Sequence, residues 1–81
     1  MNKFIMEDDQ RILAERDVLS FVKDVTRNTS DIYHLLGRLV SLKDSSTEIL
    51  EFIGTDDEWY LYYTYYIKYM ENIIDYIRKG L

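Results

Sequence analysis

The sequence predicts an all-α fold: a small bundle of three main helices plus one short helix, with a long aromatic C-terminal helix. Three observations carry this expectation. The chain has no proline, and Gly37, Gly54 and Gly80 are its only glycines, so little interrupts a helix. Apolar residues recur three and four positions apart rather than alternating, which is the helical period. Between those runs stand clusters of Ser, Thr, Asp and Asn, the residues that cap helix starts.

At 81 residues the whole chain, 1–81, is read as one helical domain. A chain of this size buries only about 60–65% of the surface its unfolded form exposes. Stability then needs disulfides, a metal, self-association or unusually rich helix packing. With no cysteine and His34 as the only histidine, disulfides are excluded and a structural zinc set is not available. Self-association or rich packing remains.

Residues 1–7 are expected to form a lead-in whose Phe4 and Ile5 either tuck onto the core or fray. The first helix is expected over about 8–27, capped by Asp8 or Asp9, whose carboxylates suit free N–H groups and the positive dipole end. Ala14, Val18, Leu19, Phe21, Val22 and Val25 supply its apolar face. Asn28, Thr29 and Ser30 compete for backbone hydrogen bonds and predict a break, with Asn28 or Thr29 capping the next helix. The alternative is one rod, because Val18, Val22, Val25, Thr29, Ile32, Leu36 and Leu39 keep a heptad spacing.

The second helix is expected over about 30–43, with Ile32, Leu35, Leu36, Leu39 and Leu42 on its apolar face and His34, Arg38 and Ser41 opposite. Asp44, Ser45 and Ser46 predict a second break. Ser45 followed by Glu48 has the capping-box spacing and would start a short helix over 46–53, closed by Gly54 in the left-handed conformation. Thr55 followed by Glu58 repeats the spacing and would open the last helix, about 55–79. Arg78 and Lys79 suit its negative end, and Gly80 closes it.

Seven of the eight tyrosines lie between Tyr60 and Tyr76. Projected at about 100° per residue, Thr64, Lys68, Glu71, Asp75 and Arg78 share one polar face. The rest of the circumference is apolar or aromatic, well beyond the stripe of about 100° that a surface helix needs. Trp59, Tyr63, Tyr66, Met70, Ile73, Ile74 and Ile77 form a stripe suited to the core. Tyr62, Tyr65, Tyr69 and Tyr76 form a nearly pure tyrosine strip beside it. Two explanations compete. The helix is central and touched on two sides, with hydroxyls at the edges, or the strip is an interface, where Tyr and Trp concentrate binding energy.

No reactive constellation is present. His34 has no orienting carboxylate beyond a weak local contact with Asp31, and no glycine-rich phosphate loop or serine triad can be assembled. The clusters Glu7-Asp8-Asp9 and Asp56-Asp57-Glu58 fall at expected helix starts and lack the spacing of a calcium loop. No cofactor and no metal are expected. A net charge of −5 with ten scattered basic residues argues against general nucleic-acid binding. No run is long and apolar enough for a membrane span, no secretory signal stands at the start, and a cytoplasmic location is the default expectation.

The functional expectation is therefore a non-enzymatic protein-interaction module, a regulator or inhibitor that binds a larger protein stoichiometrically. Its interface would comprise Trp59, Tyr62, Tyr65, Tyr69 and Tyr76, with acidic residues steering it to a basic surface, and part of the aromatic face would also support a homodimer. A short, motif-poor chain of this composition is common among bacterial and phage accessory proteins, which leans the same way. The alternative is a structural homo-oligomer or assembly subunit, favoured by the heptad. Weaker readings are a small-ligand or nucleotide binder that stacks rings on the tyrosines, or a toxin-immunity protein.

Overall fold

The computed structural model describes residues 7–81. It is all-α, with three helices in the order α1 (Glu7–Asn28), α2 (Ile32–Phe52) and α3 (Tyr60–Lys79), and no strand among the described residues. Of the expected lead-in, Phe4 and Ile5 lie outside the described residues, and Glu7 already belongs to α1. Asp8 and Asp9 sit inside α1 rather than capping it, and Asp8 pairs with Arg11 one turn on, at 3.8 Å.

The break between the first two helices is present, but its chemistry differs from expectation. Asn28 finishes α1 by donating its side-chain amide to the Asp24 carbonyl at 2.8 Å. The Thr29 N–H reaches back to the Thr26 carbonyl at 3.5 Å. The Thr26 carbonyl is among the last four of α1, which a helix end leaves without intrahelical partners. The cap of α2 is Asp31, not Asn28 or Thr29: its carboxylate accepts from the Tyr33 N–H at 2.9 Å. α1 and α2 are separate helices, so the single rod does not form.

The second expected break, at Asp44-Ser45-Ser46, is absent. α2 runs unbroken through these residues to Phe52, so the expected helices over 30–43 and 46–53 are one. The reason is the apolar seam. Leu35, Leu39, Leu42, Ser46, Ile49 and Ile53 follow one another at four- and three-residue steps, and Ser46 is buried within that seam. Its small side chain fits the helix contact, while the hydroxyl of Thr47 returns to the Lys43 carbonyl at 2.9 Å. Packing against α3 outweighs the cost of a few tenths of a kcal/mol per residue that serines impose in a helix.

α2 ends without a left-handed residue. Ile53 turns extended (φ −85°, ψ 154°) while its N–H still bonds the Ile49 carbonyl, and no described glycine has a positive φ. The expected opening of the last helix at Thr55 is also displaced. Residues 53–59 form a connection of successive turns, and α3 begins at Tyr60. Gly80 stands at its C-terminal end, donating to the Ile77 carbonyl at 3.0 Å.

α3 packs along both α1 and α2, which scarcely touch each other. The start of α1 meets the start of α3 through a hydrogen bond from the Gln10 side-chain amide to the Glu58 carbonyl. Ile49 and Ile53, at the end of α2, neighbour the same region, while Ile32 neighbours the far end of α3. α1 and α3 therefore run in parallel and α2 returns between those ends, giving a body of 45 × 22 × 21 Å. The core joins Val18 and Val25 of α1, Leu35 and Leu39 of α2, and Met70 and Ile74 of α3. Phe21, Val22, Leu36, Leu42, Tyr66, Tyr69, Ile73 and Ile77 close around it. Leu19 departs from its expected place on the core face: it is 53% exposed.

Candidate functional site

The start of α3 is built by the connection before it. The Asp57 N–H bonds the Gly54 carbonyl at 3.0 Å, and the Tyr60 N–H bonds the Asp57 carbonyl at 3.1 Å. The Asp57 carboxylate accepts from the Trp59 N–H at 2.8 Å, a side-chain turn of the kind Asp favours. Trp59 holds the N-cap position with no capping hydrogen bond of its own. Its indole is left free to pack and is 43% exposed.

From Trp59 the rings follow one another along α3. Trp59 meets Tyr62 edge-on, with ring centres 5.4 Å apart. Tyr62 meets Tyr63 edge-on at 5.1 Å and Tyr66 at a tilt, 5.7 Å away. Such pairs contribute about 0.5–1.5 kcal/mol beyond area burial, so the cluster is held in place before anything binds. Tyr62 is fixed further from α1, since its hydroxyl donates to the Asp17 carboxylate at 2.5 Å. Burial, and then this bond, push the Tyr62 hydroxyl well above its ordinary pKa; burial, with the nearby Asp17 charge, raises Tyr66 as well.

Because α1 and α2 flank α3 without closing on each other, a cleft of about 460 Å³ opens at this end. Leu13 and Asp17 line it from α1, Ile49 from α2, Ile53, Asp57 and Trp59 from the connection, and Tyr62 and Tyr63 from α3. Its walls are apolar and aromatic, and its two charged groups are both carboxylates. The surrounding chain is strongly acidic. Between Lys43 and Trp59, that lysine stands against Asp44, Glu48, Glu51, Asp56, Asp57 and Glu58. Lys43 itself pairs with Asp44 at 3.2 Å. The cleft is an aromatic socket in a negative field.

No protein family, curated protein or solved structure matches this chain. The functional reading therefore rests on the residues themselves. Among the described residues no group of three or more His, Cys, Asp or Glu could hold a metal ion. No helix among them is long and apolar enough to cross a membrane. His34 is exposed on α2, away from the cleft residues.

The five aromatic residues singled out from the sequence lie in three places. Trp59 and Tyr62 belong to the cleft. Tyr65 and Tyr69 stack on each other, ring centres 6.3 Å apart, and both are half-buried. Tyr69 packs against the core, and its hydroxyl, near Arg11, raises the pKa of the guanidinium. Tyr76 is 80% exposed at the opposite end. Much of the aromatic surplus is thus explained by the central position of α3. The sequence reading missed Leu13, Asp17, Ile49, Ile53, Asp57 and Tyr63 as cleft residues. The acidic run around 44–58 signals only the part of the cleft that α2 and the connection supply, and nothing in the sequence pointed to Leu13 or Asp17.

Proposed function

We propose that the protein is a non-enzymatic interaction module, a small cytoplasmic regulator or inhibitor that binds a larger protein stoichiometrically. The partner's segment seats in the cleft at the start of α3. The single observation carrying this reading is the preorganised aromatic socket of Trp59, Tyr62 and Tyr63, open between α1 and α2 and edged by Asp17 and Asp57. Rings already fixed lose little entropy on binding, and a carboxylate rim favours a partner segment that carries an apolar anchor beside Lys or Arg. Binding would block whatever the partner does with that segment, with no chemistry by this chain.

The test is affinity capture with the native chain and with Trp59→Ala/Ile49→Asp, followed by reconstitution and mass determination of the complex. Both residues are partly exposed, so helicity should hold. A protein captured by the native chain, lost by the variant and forming a complex of defined stoichiometry is the expected result. Equal capture by native and variant chains would refute the cleft as the docking site.

A further inference from the structure

A second pair of features lies outside the cleft. A concavity of about 680 Å³ forms a groove on the outer side of α1. Leu19 and Val22 give it an apolar floor, and Arg16, Lys23 and Arg27 line it with positive charge. Among the described residues Arg16 pairs with Asp17 at 3.8 Å, while Lys23 and Arg27 are exposed. At the end of α2 stands the reverse: Phe52, 91% exposed, with Glu48 and Glu51 on the same helix end and Asp56 just beyond. Phe52 lies off the buried seam of α2, so it contributes nothing to the core. One feature is an apolar hollow rimmed by cations. The other is an aromatic knob set among carboxylates.

A single molecule cannot join them. The groove spans the C-terminal half of α1, while Phe52 lies at the other end of the body, beside the start of α3. We propose that they meet between copies: Phe52 of one chain seats on Leu19 and Val22 of the next, with Glu48 and Glu51 facing Arg16, Lys23 and Arg27. The contact is heterologous, knob to hollow, so it propagates head to tail unless capped. It leaves the cleft of the proposed function aside and does not depend on that reading. It also differs from a dimer through the tyrosine strip, since Tyr62, Tyr65 and Tyr69 are already engaged within the fold.

Two surface variants test it. Lys23→Glu/Arg27→Glu destroys the hollow and keeps the knob; Phe52→Ala destroys the knob and keeps the hollow. All three positions are exposed, and circular dichroism checks that helicity is retained. By light scattering over a hundredfold concentration range, the native chain should rise above its monomer mass of 9.8 kDa, and the rise should shrink as salt screens the charges. Each variant alone should stay monomeric. Their equimolar mixture should form a dimer that grows no further, because each partner carries only one working surface. A native chain that stays monomeric throughout, variants that still associate alone, or a mixture that stays monomeric would each overturn the proposal.

Discussion

At the scale of single residues, the contact that ties α1 to the aromatic cluster is the hydroxyl of Tyr62 on Asp17, 45 positions apart in sequence. Burial and this bond raise the Tyr62 pKa above the ordinary value of about 10. The folded state thus favours the neutral phenol. The resulting stability is complete below pH about 10 and is lost as pH rises from there through the folded value. Tyr62→Phe should cost about 1 kcal/mol at neutral pH and flatten the alkaline decline. In an ultraviolet titration of the tyrosines, the variant should lack the latest-ionising part of the native curve. A native chain whose tyrosines all ionise together near their ordinary value would contradict this assignment. Gln10 acts near the same end. It is almost fully buried and donates to the Glu58 carbonyl, while its own carbonyl oxygen has no partner among the described residues.

At the scale of elements, two serines separate the legible from the illegible. The all-α class and the break before α2 were readable, because both rest on local period and local capping. The break expected at 44–46 was not real, because Ser45 and Glu48 have capping-box spacing while Ser46 also fits the seam from Leu35 to Ile53. Local chemistry and packing disagreed there, and packing on α3 decided it. The late start of α3 has the same origin: Asp57, not Thr55, supplies the side-chain acceptor, and which acidic residue does so depends on how the 53–59 connection turns. The cleft was legible only as composition, since it gathers residues from every element. Substitution gives opposite signs for the two positions. Ser45 is exposed in mid-helix, so Ser45→Ala should stabilise by up to about 0.5 kcal/mol, where a true N-cap would lose about 1 kcal/mol. Asp31→Ala should cost about 0.5–2 kcal/mol. Chemical denaturation of the two variants reads both signs, and a destabilised Ser45→Ala would restore the break.

At the scale of the whole molecule, the arrangement makes α3 indispensable. α1 and α2 bury their seams on it and scarcely on each other, so without α3 neither retains a partner for Val18 or Leu39. Partial structures that keep two helices therefore have little apolar burial to hold them, and most helical stability in a protein comes from tertiary packing rather than from propensity. Unfolding should be a single cooperative transition. Met70 is the test residue, being fully buried within the shared core. Met70→Ala should cost about 2–5 kcal/mol, a large part of the roughly 5–15 kcal/mol that holds a typical domain together. At about 4–8 °C per kcal/mol for a domain of this size, the midpoint should fall by at least about 8 °C. Near-ultraviolet dichroism follows the Trp59 and tyrosine cluster, and far-ultraviolet dichroism follows all three helices. In native chain and variant alike, the two signals should be lost together. If helical signal outlived the aromatic signal on heating, α1 and α2 would hold each other without α3, contrary to the packing described here.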